Sequence, residues 1–122
     1  ARARFYRKQQ GGAMRQVGIL AAAAAHALEH NRDRLADDHA NCRALANGLA
    51  KLPGLDIDAE SAETNLLFIG TGESDATALA KRLDESGIRL LATGPHTLRA
   101  VTNLTVTAEE IAQVITAFEQ LP

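Results

Sequence analysis

From Ala13 to His30 the chain reads as a helix that is apolar nearly all the way round. Val17, Ile19 and Leu20 lead into five consecutive alanines at 21 to 25, and Ala27 and Leu28 follow. A helix of that kind is stable when every side is covered. The rest of the chain offers a few more helices and one small sheet, too little to surround it. The pattern therefore calls for partners beyond these residues: more chain, another subunit, or both.

The helix is introduced by Arg7-Lys8-Gln9-Gln10-Gly11-Gly12-Ala13-Met14-Arg15-Gln16-Val17-Gly18. Residues 1 to 9 read as a preceding helix, which the paired glycines interrupt. Glycine permits positive φ and close approach of another backbone or a ligand. Lys8 and Arg15 flank the turn, where a phosphate or carboxylate would meet free N–H groups and the favourable end of a helix dipole. The run is no Walker or dinucleotide fingerprint, so spacing alone favours a turn with exposed cations.

A chain of 122 residues is one domain's worth, able to bury about two-thirds of its unfolded surface. Aromatic residues make up only 3% and Trp is absent, so the core is built from Ala, Leu, Ile and Val. The one cysteine, Cys42, excludes an internal disulfide and a cysteine-based metal cluster, and it falls in line with apolar helix positions. Residues 1 to 15 carry five cations and no acid, leaving −7 for the remainder of a chain whose net charge is −2. A basic arm suits nucleic acid, but no stacking aromatic set or nucleic-acid motif accompanies it. Basic residues ahead of Val17 to Ala25 imitate a signal peptide. The helical pattern nevertheless runs on through Glu29, and the apolar run is shorter than the roughly 20 residues a bilayer takes. The expectation is a cytoplasmic protein with no membrane and no nucleic-acid partner.

His26 and His30 stand at i,i+4 spacing, a geometry that can hold zinc, with His39 further on. No Glu stands at the intervening metalloprotease position and no third ligand is in register, so no metal is expected.

Asn31 to Asp33 marks a break. An amphipathic helix then runs to about Leu52, with Leu35, Cys42, Leu45, Leu49 and Leu52 on one stripe, stopped by Pro53-Gly54. Leu55 to Asp58 reads as a short strand. Asn65 to Ile69 reads as a strand whose continuous apolar run places it centrally in a sheet. Ser74 or Asp75 caps a helix ending at Gly87. Ile88 to Ala92 and Thr97 to Thr102 are further strands around a Gly94-Pro95 turn. Thr107-Ala108-Glu109-Glu110 is a capping box opening a last helix with Ile111, Val114, Ile115, Phe118 and Leu121 on one face. The order from residue 33 is αββαββα, with a mostly antiparallel sheet.

Arg99 is the second residue of interest. In an alternating strand Leu98, Ala100 and Thr102 share one face, Arg99 and Val101 the other. A mid-strand arginine is commonly a solvated or salt-bridged edge residue. It can also grip a carboxylate through two parallel N–H···O bonds, a fit that lysine cannot reproduce.

The opening run resembles the Arg-Lys-x-x-Gly-Gly-Gly-Met-Arg-Gln-x-Gly signature of low-specificity L-threonine aldolases, departing from it at Ala13. The resemblance continues through Ala27-Leu28-Glu29-His30-Asn31, Leu35-Ala36-x-Asp38-His39-Ala40-Asn41, Thr64-Asn65 and Arg99-Ala100-Val101-Thr102. It implies an α/β enzyme of fold type I: long N-terminal helices, then an α+β C-terminal domain. It also implies pyridoxal phosphate as cofactor, a homotetramer, and cleavage of L-threonine or L-allo-threonine to glycine and acetaldehyde.

Under that resemblance Arg99 holds the substrate carboxylate, in an Arg-x-Val-Thr-His context whose histidine is Asn103 here. Lys8 and Arg15 line the cofactor-phosphate side, and Asn65 is structural. The family's cofactor lysine lies upstream of the Arg-Lys pair. The chain accordingly corresponds to a C-terminal part without that lysine and without a catalytic residue of its own. Lys51 and Lys81 read as solvated, and Lys8 matches the separate cationic position. Residues 1–32 correspond to a helical segment of the large-domain or interface part, and 33–122 to the small domain. Its partners would be an N-terminal cofactor-binding part, other subunits of a homo-oligomer and a small amino acid. The alternatives are a non-catalytic fragment or self-associating module, or a segment of a related fold-type I lyase or racemase.

Overall fold

The computed structural model describes residues 2–12 and 14–121. The chain divides into two compact units, Ala1–Asp33 and Arg34–Pro122.

The first unit holds α1 (Arg2–Gln9) and α2 (Val17–His30). Between them the chain turns at Gly11, whose φ of +73° is glycine's territory. The Gly12 N–H donates to the Arg7 carbonyl at 2.8 Å, and a Cβ on Gly12 would stand 3.1 Å from that same oxygen. The paired glycines thus serve two different needs. Helix α2 begins four residues later than its apolar pattern suggests. Gln16 takes a left-handed conformation (φ 51°), breaking the helical path ahead of Val17, and the expected first residue Ala13 lies outside the described residues. No residue of α1 or α2 is buried; Ile19 is 73% and Leu28 69% exposed. Among the described residues of this unit, nothing covers the apolar helix.

The second unit is a two-layer α/β arrangement. Its elements are α3 (Leu35–Leu49), a 3-10 turn at Ala59–Ser61, β1 (Leu66–Gly70), α4 (Ala76–Glu85), β2 (Leu91–Gly94), β3 (Thr97–Val101) and α5 (Ala108–Glu119). The sheet is antiparallel with order β1-β3-β2. Leu67 and Ile69 of β1 and Leu98 and Ala100 of β3 form one apolar cluster with helix residues: Cys42, Leu45, Ala46 and Leu49 of α3, Leu83 of α4, and Ile111 and Phe118 of α5. Period-two alternation sends these strand residues to one face, and the helical stripes close over it. Helix boundaries follow local chemistry. The Asp75 Oδ1 accepts from the Ala78 N–H at 2.7 Å, Gly87 ends α4 with φ +79°, and both hydrogen bonds of the Thr107–Glu110 capping box are present.

Four expectations are corrected. The run Leu55 to Asp58 forms no strand, only a bridge between Asp56 and Gly70. Strand β1 is not central; β3 is, and the continuous apolar run of β1 leaves Leu66 and Phe68 exposed on the face that the helices do not cover. Strand β2 starts at Leu91, because Ile88 to Leu90 stay out of the ladder, and an irregularity lies between Ala92 and Gly94. Leu35 opens α3 but is 49% exposed, outside the buried stripe.

Candidate functional site

Arg99 lies at the middle of β3, the central strand, on the open face of the sheet. Its direct cross-strand partners are Phe68 on β1 and Leu91 on β2. The neighbouring pair on the same face is Leu66 and Val101. Phe68 is 55%, Leu91 51% and Val101 45% exposed, so a guanidinium stands among four large apolar side chains. Arg99 itself is half-buried, and its Nε is fully enclosed with no hydrogen-bond partner among the described residues. The ion pairs among those residues are Arg32–Asp33, Arg34–Asp37 and Arg89–Asp84, all on exposed side chains. Arg99 belongs to none of them. Leaving a buried donor unmade costs about 1–3 kcal/mol. A charged donor in apolar surroundings is the arrangement that binds an anion strongly, because a lower local dielectric strengthens the pair.

The strand end beyond Arg99 is tied down by polar groups. The Thr102 N–H donates to the Asn65 carbonyl at 2.9 Å, and the Asn65 Nδ2 donates to the Thr102 carbonyl at 2.8 Å. The Thr102 hydroxyl donates to the Asp38 carbonyl of α3 at 2.7 Å. Asn65 is therefore a structural residue, extending the β1–β3 ladder by one pair. Asn103 Oδ1 accepts from the N–H and hydroxyl of Thr105 at 2.9 and 2.7 Å, shaping the turn that leads into α5. At the other end of β3, the His96 Nδ1 lies 3.0 Å from the Ser74 carbonyl, which also accepts the Thr71 hydroxyl at 2.7 Å.

Lys8 and Arg15 both belong to the first unit and are both exposed, one at the last turn of α1 and one beside the start of α2. No side chain caps α2 among the described residues. The Ile19 N–H donates back to the Gln16 carbonyl at 3.2 Å, and a Cβ on Gly18 would meet nothing within 4 Å. Lys8 and Arg15 thus share one turn region, while Arg99 stands in the other unit. The lysines Lys8, Lys51 and Lys81 are all exposed. None has the desolvated surroundings that a Schiff-base lysine requires.

Cys42 is 1% exposed and its thiol is held above its ordinary range by burial, with Arg43 pulling weakly the other way. That is the state of an inert core thiol. His26 and His30 stack with ring centroids 4.2 Å apart, and the His30 Nδ1 lies 3.0 Å from the His26 carbonyl. Among the described residues no group of three or more His, Cys, Asp or Glu is placed to hold a metal, and no helix is long and apolar enough to cross a membrane. An open groove of about 630 Å³ lies elsewhere in the second unit, between residues 86–90, the end of β3 and α5; Arg99 does not line it.

Sequence reasoning placed Arg99 on its face but missed Phe68 and Leu91. Their signal was the same alternation, Leu66 and Phe68 in β1, which acquires meaning only with the register.

Known proteins match this chain in both sequence and fold. The pattern of the beta-eliminating lyase family covers residues 1–71, and the chain belongs to that family. The low-specificity L-threonine aldolase 1 of Arabidopsis thaliana is 34% identical over 98% of this chain and 34% of its own length. The low specificity L-threonine aldolase of Escherichia coli strain K12 is 41% identical over 93% of this chain and 32% of its own. The chain spans about a third of the length of these curated relatives.

Among solved structures, C-DES with glycine covalently linked to its PLP cofactor superposes with a TM-score of 0.69 at 24% identity, over 86% of this chain and 28% of that one. A complex of the cystine C–S lyase C-DES with cysteine persulfide gives 0.69 at 23%, over 85% and 28%. The fold is therefore the α/β fold of these enzymes.

Proposed function

We propose that the chain is the C-terminal segment of a threonine aldolase, a carbon–carbon lyase that cleaves L-threonine or L-allo-threonine to glycine and acetaldehyde. The observation that carries this reading is the Arg99 guanidinium: half-buried, unpaired among the described residues, and set among apolar side chains. An α-amino acid brings a carboxylate to such a group, and a bidentate pair fixes the plane in which that carboxylate lies. Holding the substrate by an atom group that does not react leaves the Cα–Cβ bond to be oriented by the remainder of the enzyme.

Pyridoxal phosphate, when bound, supplies the electron sink for the bond-breaking step. Lys8 and Arg15, with the uncapped start of α2, would neutralise its phosphate. The exposure of Lys8, Lys51 and Lys81 supports a covalent anchor supplied from outside these residues. Residues 1–32 would form part of the large domain or a subunit interface, and residues 33–122 the small domain. The uncovered apolar surface of α2 supports a homo-oligomer, in which a tetramer would bring further copies against it.

Native mass together with an absorbance scan for bound cofactor tests the assembly. In the full-length protein, Arg99→Ala should raise the KM for L-threonine about 10- to 100-fold while leaving cofactor absorbance unchanged, as loss of a charge-assisted pair requires. An unchanged KM sinks the reading. The same exposed α2 also favours a second reading, a self-associating module without catalysis. An oligomer of the chain lacking any cofactor absorbance would select it.

A further inference from the structure

Whether Arg99 reaches a substrate depends on the face of β3 it occupies, and a one-residue slip of the strand would turn it into the helical layer. At the start of β3 the hairpin to β2 is irregular between Ala92 and Gly94 and gives weak control of register. The far end is different. Thr102 is 3% exposed and all three of its polar groups are engaged: N–H to the Asn65 carbonyl, carbonyl to the Asn65 Nδ2, hydroxyl to the Asp38 carbonyl at 2.7 Å. Its hydroxyl also lies 3.5 Å from the Asn65 carbonyl. Three stretches far apart in the chain, around Asp38, Asn65 and Arg99, therefore meet at one threonine. A few residues away, the Asn41 Nδ2 donates to the Val106 carbonyl at 2.9 Å, holding the loop that leaves the strand against the same helix.

We propose that Thr102 is a positioning residue for Arg99, pinning β3 to α3 and to the start of β1 so that the guanidinium is held between Phe68 and Leu91. The inference rests on the reading of Arg99 as the carboxylate-binding group. Thr102 touches no substrate; it acts through the strand. Valine matches the shape of threonine but lacks the donor, so it frees the strand end from α3 without opening a cavity. Serine keeps the hydroxyl.

The test uses the full-length enzyme with its cofactor. Thr102→Val should raise the KM for L-threonine, and the Ki of a simple competing carboxylate such as acetate, about three- to tenfold, the equivalent of one buried hydrogen bond. The kcat and the bound-cofactor absorbance should hold, and Thr102→Ser should recover most of the loss. Asn65→Ala, which removes the Nδ2 donor from the same cluster, should shift KM and Ki in the same direction and reports on the cluster if the valine variant does not fold. Variants that melt at lower temperature with KM and Ki unchanged would overturn the proposal, leaving Thr102 a stabilising residue alone. Arg99→Ala in parallel separates the two levels. If it leaves KM unchanged, the reading of Arg99 fails; if it raises KM while Thr102→Val and Asn65→Ala do not, only the positioning role fails.

Discussion

Phe68 and Arg99 are direct cross-strand partners on the open face of the sheet, the phenyl ring 55% exposed beside a guanidinium whose Nε is buried. Side chains paired in this way stand about 5 Å apart at Cβ, close enough for the ring to shield the cation from water. With Leu91 on the opposite side, the arginine is flanked along both hydrogen-bonding directions.

If Arg99 binds the substrate carboxylate as proposed, removing the ring should weaken that binding by admitting water. In the full-length enzyme Phe68→Ala is expected to raise KM about fivefold, the effect of roughly 1 kcal/mol, with Phe68→Leu largely restoring it. The admitted solvent also brings counterions within a Debye length, which is about 8 Å at physiological salt. Measuring KM at low and high potassium chloride checks this: the alanine variant should show the steeper rise with salt.

The face occupied by Arg99 was legible in the sequence, because strand alternation is a local property and Leu98, Ala100 and Thr102 declare the buried side. The capping box at Thr107 and the stop at Gly87 were legible for the same reason. The order of the strands was not. Leu66 to Ile69 is apolar at every position, which suits a central strand buried on both faces and equally an edge strand whose second face awaits cover. Only pairing with β3 decides between them, and that is set by contacts between segments far apart in the chain, such as Leu66 with Val101. Ile88 to Leu90 alternate as a strand should, yet they stay out of the ladder, which begins at Leu91. The late start of α2 hangs on the backbone of one residue, Gln16, which no periodicity reveals.

Gly48 of α3 packs directly against Ile115 of α5. A Cβ there would stand 2.8 Å from Ile115 Cγ1 and nearer still to its Cδ1. Alanine gains about 0.5–1 kcal/mol over glycine inside a helix, but overpacking costs about 1–3 kcal/mol. Gly48→Ala should be net destabilising by about 1 kcal/mol in urea unfolding. The same change made with Ile115→Ala should cost less than in the parent, because the obstructing atoms are gone. Additive costs would show that the two residues do not meet.

The Thr107 hydroxyl accepts from the Glu110 N–H at 3.2 Å, and the Glu110 carboxylate accepts from the Thr107 N–H at 2.8 Å. Thr107→Ala removes the first of these and should lower stability by about 1 kcal/mol, with Thr107→Ser close to neutral. Thermal unfolding of the two variants distinguishes the lost cap from a lost methyl group, since serine lacks the methyl and keeps the oxygen.

Cys42 gives stability a dependence on alkaline pH. Burial holds its thiol above the ordinary value of 9.0 in the folded chain, with only partial opposition from Arg43. In the unfolded chain the thiol ionises first, so proton release favours unfolding. The contribution is fully present below about pH 9 and is lost as pH rises through the folded-state value. Unfolding free energies of the parent and of Cys42→Ala, measured at pH 7 and again above pH 10, isolate this effect from everything the two proteins share. The parent should lose more stability than the variant over that interval. At pH 7 the folded thiol, 1% exposed, should react with a thiol reagent only at the rate at which the second unit opens. Equal alkaline losses in the two proteins, or rapid labelling of the folded chain, would place the thiol outside the core.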